Sequence, residues 1–210
     1  MRKLVPVILL FMLACGEEQI VSKVESPPEM LINSTLFKSL NIDHSQLDMA
    51  SAIVREITGG SKSVMIPFKN RLQYVYSEGR VNEMDKLDFS EVISFQYITD
   101  FNYEQLAKSL ESHTFSGELK VVSTRNFSLL LNVANNKVNG SKVLKSGKTE
   151  TCSGTVGSNQ WVQDVANCAS QRIDNMNWWD QGWCYIALPE CWAQTVISCI
   201  IDECEVVAGP

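Results

Sequence analysis

The chain has 210 residues, 45% of them hydrophobic, with 24 acidic against 18 basic side chains for a formal charge of −6. It is too apolar for a disordered tail, too short for a large multidomain enzyme and too acidic to suggest nucleic acid as a partner. Seven cysteines, an odd number, are the count that most needs a reason. Residues 1–14 read as a signal peptide: Arg2 and Lys3 precede an uncharged apolar run from Leu4 to Ala14. At 1.5 Å rise per residue that run cannot cross a hydrocarbon core of about 30 Å, so it fits a cleaved leader better than a spanning helix.

The leader ends at Met12-Leu13-Ala14-Cys15-Gly16. A small residue directly before a cysteine at the close of a short apolar run resembles the lipobox of bacterial lipoproteins, with Met12 where the family prefers Leu. The resemblance implies that Cys15 is acylated on sulfur, typically with palmitate-like chains, becomes the new amino terminus and anchors the protein in membrane lipid. Several acyl chains hold far more firmly than one. Gly16 at the following position is not the Asp of inner-membrane retention. Glu17-Glu18 resembles the surface-export signal of Bacteroidota lipoproteins, which implies the outer membrane and its cell surface.

Residues 15–35 read as a tether, polar and with a Pro27-Pro28 pair that argues against helix. Residues 36–147 read as an α+β meander domain. Its expected first element is a helix begun by Ser45-Gln46-Leu47-Asp48, with Leu47, Ala50, Val54 and Ile57 at helical spacing and Gly59-Gly60 at its end. The period then becomes two. Runs at 63–68, 72–76, 92–99, 115–123 and 127–133 alternate apolar and polar residues between Asn, Gly and Ser turns, and Asn135-Asn136 suits a hairpin turn with 137–144 returning. Tyr103 to Leu110 reads as a helix set among the strands. The run from Phe115-Ser116-Gly117-Glu118-Leu119 to the Asn-Lys-Val turn is similar to the meander of uncharacterised surface lipoproteins of the Bacteroidota. That resemblance covers about residues 60–145 and carries no catalytic residues with it.

Composition changes near Lys148. All eight Phe precede residue 130, whereas all five Trp and six of the seven Cys follow residue 150, and in residues 150–210 eight acidic residues stand against Arg172 alone. Residues 148–210 therefore read as a separate disulfide-stapled helical unit. With Cys15 consumed by lipid, Cys152, Cys168, Cys184, Cys191, Cys199 and Cys204 form an even set in an exported chain, which favours three disulfides of undetermined pairing. Metal-type Cys-x-x-Cys spacing is absent. Ser158 is placed to cap a helix carrying Trp161, Val165 and Cys168 on one face, and Pro189 suits the first turn of a second running from Glu190 to about Asp202. Cys191 and Cys199 fall two turns apart on it, too far to bond each other.

Between these helices, Trp178, Trp179, Asp180 and Trp183 make an aromatic stretch suited to binding a glycan or protein ligand, or to filling a small core. His44 and His113 lack a partner at catalytic or metal-ligand spacing, and no nucleophile elbow, phosphate loop or dinucleotide fingerprint occurs, so no catalytic residue, metal or cofactor is expected. The expected function is noncatalytic binding at the cell envelope. Two alternatives use the same residues: a precursor cut near 145–148 to release a toxin-like or bacteriocin-like cysteine-rich peptide, and a hydrolase using Asp180 or Glu190 as carboxylates.

Overall fold

The computed structural model describes residues 25–57, 60–84, 86–145, 158–175 and 188–205. The fold is α+β, built on one eight-stranded antiparallel sheet. Two short helices, α1 (Pro27–Asn33) and α2 (Thr35–Ser39), come first, followed by 3-10 turns at His44–Gln46 and Met49–Ser51. The strands are β1 (Ile53–Ile57), β2 (Ser61–Pro67), β3 (Gln73–Val81), β4 (Leu87–Phe89), β5 (Ile93–Ile98), β6 (Gly117–Ser123), β7 (Ser128–Ala134) and β8 (Lys137–Lys145). Helix α3 (Tyr103–Glu111) interrupts them between β5 and β6, and α4 (Asn159–Asp174) and α5 (Leu188–Glu205) complete the described chain. The sheet runs β1-β2-β3-β5-β6-β7-β8, with β4 paired to one end of β3.

The meander and its turns follow from the alternation read above. Asn135 and Asn136 have φ of 49° and 61° between β7 and β8, the paired positive values that a two-residue hairpin needs and that Asn tolerates. Asn102 caps α3 by accepting from the Gln105 amide while Gln105 reaches back to the Asn102 amide. The helix expected over 45–57 does not form. Leu47 instead makes a single bridge to Phe68, and Ile53–Ile57 pairs with β2 from Ile53↔Met65 to Ile57↔Ser61. The β-branched Ile53, Val54 and Ile57 suit that strand better than a helix, and Gly60 at φ 77° serves the turn into β2.

The tether reading also fails from residue 27 onward. Pro27 and Pro28 occupy the first turn of α1, where the missing amide hydrogen costs nothing, and Ser26 and Glu29 complete a capping box. Leu31 and Phe37 are fully buried, which makes α1 and α2 part of the folded domain.

Directly paired residues share a side of the sheet, so the register divides it into two faces. On the first, Tyr74, Phe95, Val121 and Leu129 form one cross-strand row. This helical face is covered by α3, α4 and α5, and its apolar cluster takes in both sheet residues and Trp161, Val165, Trp192, Val196 and Ile200. The two late helices thus bury their indoles in a core shared with Phe95 and Phe115, and not in a separate small one. The ring of Trp192 lies 6.0 Å from Tyr97 and 6.3 Å from Phe115, and its Nε1 donates to the Asn136 carbonyl at 3.2 Å. On the opposite face, Val64, Ile66 and Val75 pack beneath Leu31, Phe37 and Leu47.

Cys168 and Cys199 join α4 to α5, with Cα atoms 5.9 Å apart. Cys191 is disulfide-bonded as well, to a partner outside the described side chains. Cys15, Cys152 and Cys184 lie outside the described residues, as does the side chain of Cys204. No described helix is long and apolar enough to cross a membrane. Helix α5 buries Trp192, Val196 and Ile200 in the core it shares with the sheet.

Candidate functional site

Trp178, Trp179, Asp180 and Trp183 lie outside the described residues, so the aromatic stretch is approached through its two ends, Asn175 and Leu188. At Leu188 the chain enters α5, and Pro189 and Glu190 in the first turn are buried. The Pro189 carbonyl accepts from the Tyr97 hydroxyl at 2.7 Å, and the Glu190 carboxylate accepts from the Tyr103 hydroxyl at 3.0 Å. Tyr97 comes from β5 and Tyr103 opens α3, so three elements meet at this corner.

Glu190 is 4% exposed and faces the tyrosines. A buried carboxylate is costly unless donors surround it, and a helix amino terminus further favours negative charge there. Its effect on the neighbours is clear. Burial, and then the charge of Glu190, raises Tyr74 and Tyr97 far above the ordinary phenol range. The half-exposed Tyr103 is pushed up to about 12 by the same two causes in the same order. These phenols therefore stay protonated and act as donors. The Tyr74 hydroxyl donates a hydrogen bond to the Arg71 carbonyl at 2.6 Å.

Arg71 carries the corner to the surface. It sits in the β2–β3 turn with φ of 55°, its Nη2 donates to the Ser51 hydroxyl at 2.8 Å, and Asp48 lies 3.6 Å away. Its guanidinium lies 5.6 Å from the centre of the Tyr103 ring, within cation–π range. Asp48 is held below the usual carboxylate range, chiefly by the Ser51 hydroxyl. Phe101, 38% exposed, precedes the Asn102 cap of α3.

No family model, curated protein or solved structure matches this chain. The chemistry of the corner must therefore be read from its own residues. It offers an aromatic ring, a braced guanidinium and an exposed phenyl close to the start of α5, the helix that follows the tryptophan-rich stretch in sequence.

The second buried carboxylate, Glu91, lies at the other end of β5. It is 3% exposed, receives the Arg125 guanidinium at 3.1 Å and accepts from the Ser123 hydroxyl, while the Ser77 hydroxyl donates to its backbone carbonyl at 2.5 Å. This group closes the β5–β6 end. His44 stacks edge-on against Phe37 at 5.1 Å, and His113 lies 3.5 Å from the Asn136 side chain just beyond α3. Among the described residues no three His, Cys, Asp or Glu are grouped as metal ligands. Sequence reasoning singled out Glu190 as a carboxylate in an aromatic setting, but Tyr97, Tyr103 and Arg71 carried no local signal. The contacts that matter link residues 87 and 92 positions apart.

Proposed function

We propose that this protein is a lipid-anchored outer-membrane lipoprotein of the cell envelope, held through Cys15 and displayed at the cell surface, which binds a glycan or protein ligand without catalysis. Trp178, Trp179, Asp180 and Trp183 form its contact stretch. The observation that carries this reading is the double fastening of Pro189 and Glu190 by Tyr97 and Tyr103. A segment that joins the fold at so firmly held a point has a rigid base at that end, and rigidity lowers the entropic cost of binding. Glu190 itself is spent as an acceptor beneath Tyr103, which favours a structural role for it over hydrolysis. The late helices cover the sheet, so cutting the chain at 145–148 would strip an apolar face, which weighs against a released peptide.

The test has two arms. Cells fed an alkyne analogue of palmitate should label the wild-type chain and leave a Cys15→Ala variant unlabelled; labelling of both would defeat the anchor. The folded wild-type protein should be retained on immobilised lipopolysaccharide, peptidoglycan or envelope protein. Joint replacement of Trp178, Trp179 and Trp183 by Ala should abolish that retention, and equal retention of the variant would place the contact elsewhere.

A further inference from the structure

The face opposite the late helices is only half covered. Among the described residues, α1, α2 and Leu47 cover β2, β3 and the neighbouring β4, while on the same face of β5 to β8 Ser94 and Ser128 are buried but Gln96, Lys120, Leu130 and Lys142 are partly or fully exposed. One cross-strand row on that open half runs Gln96, Lys120, Leu130 and Lys142. Lys142 is exposed, Lys120 is half-exposed, and the exposed Lys145 pairs with Ser128 at the end of the same strands. Against these lysines, the open half of the described sheet carries one acid, Glu118. A chain with formal charge −6 thus gathers positive charge on one flat surface.

The amino terminus enters the domain on this same side. Helix α1 packs on β2 and β4, and Glu25 is the first described residue. From Cys15 to Glu25 the chain can span at most about 35 Å when fully extended. The open strands extend sideways from β3 by four strand spacings, about 19 Å. A short leash attached beside a flat basic surface keeps that surface near whatever holds the leash. Lysines within about a Debye length of an anionic bilayer are attracted to it.

We infer that the open half of the sheet, through Lys120, Lys142 and Lys145, rests on the anionic headgroups of the membrane that carries the anchor, a reading that builds on lipidation at Cys15. The helical face and the Tyr103 corner then turn away from the bilayer toward ligand. This orientation gives the two faces separate partners, lipid for one and a soluble or neighbouring molecule for the other.

To test it, the mature chain is joined through its amino terminus to a lipid in vesicles, and lysine acetylation is mapped by mass spectrometry. On vesicles of about one-third phosphatidylglycerol in phosphatidylcholine, Lys120, Lys142 and Lys145 should react about fivefold more slowly than on pure phosphatidylcholine. Lys108 on α3 should react equally on both, and high salt should erase the difference. Without a covalent lipid, the Lys120→Gln, Lys142→Gln, Lys145→Gln variant should bind the anionic vesicles up to on the order of a hundredfold more weakly than wild type. Equal acetylation on the two vesicles, or protection of Lys108 instead, would overturn the orientation. The anchor here is supplied chemically, so the outcome stands apart from whether cells acylate Cys15, which the intact mass of the cell-derived protein reports.

Discussion

The two faces of the sheet are buried by different means. The helical face is covered by segments far away in the chain: α4 and α5 share a core with β2, β3 and β5 to β8 and are tied to each other through Cys168–Cys199. The opposite face is covered by its immediate sequence neighbours, α1, α2 and the turns leading into β1, and only over its first strands. Long-range burial makes the first face a cooperative unit, because no helix there has a complete core without the sheet. Local burial makes the second a patch whose open remainder is free for contact.

The sharpest way to break this comparison is Trp192→Ala. It removes a ring wedged between Tyr97 and Phe115 and should cost about 3–5 kcal/mol in urea unfolding, with loss of structure across the whole sheet. Replacing Cys168 and Cys199 together by Ser releases a link spanning 31 residues and should cost about 3 kcal/mol, measured by the same titration under non-reducing conditions. On the other face, Gly79→Ala would set a β-carbon 2.9 Å from the Phe89 ring, crowding β4 where it crosses β3. It should cost about 1–3 kcal/mol, with hydrogen exchange quickened in β4 and little changed in α5.

Tyr103→Phe leaves the buried Glu190 carboxylate short of a donor and should cost about 1–2 kcal/mol at neutral pH. Its pH signature is specific. Tyr103 holds its proton up to about 12 in the folded protein but only to the ordinary 10.0 when unfolded, so its stabilisation is intact below pH 10.0 and is lost as pH rises through 12. Phenolate absorbance should follow that loss in the wild type, and the variant should show a shallower alkaline decline. The smallest effect is expected from Leu130→Ala on the open half of the sheet, within about 0.5 kcal/mol, because its neighbours there are lysines and water. A loss of several kcal/mol at Leu130 would mean that the open half is covered after all.

The meander was legible because alternation is a local signal: the runs at 115–123 and 127–133 coincide closely with β6 and β7, and Asn135-Asn136 forms the expected turn. Helix α3 and the two late helices were legible from caps and apolar spacing. Two short-range readings failed for physical reasons. Leu47, Ala50, Val54 and Ile57 match a helical period, yet the edge of a sheet outweighs that match for β-branched residues. Pro27-Pro28 signals a break inside a helix but a beginning at its first turn, and only burial of Leu31 decides which applies. The corner around Glu190 was illegible except for the carboxylate itself, since nothing near Tyr97, Tyr103 or Arg71 in the chain announces a partner some ninety residues later. The shared core was obscured by composition, because Phe and Trp are segregated along the chain and brought together only by folding.

The Asn136 turn bears on the order in which the fold can close. Its side chain donates to the Leu110 carbonyl at 2.6 Å and its own carbonyl waits for Trp192, so the docking place for α5 is complete once residue 145 has emerged. A chain synthesised from its amino terminus holds every residue of the sheet and α3 before the last fifty arrive, and until then α4 and α5 are not there to cover the helical face. During that interval apolar surface is exposed, and the Cys168–Cys199 bond must wait, because Cys199 lies on the final helix. The carboxyl-terminal helix thus completes the core and the covalent link in one arrival.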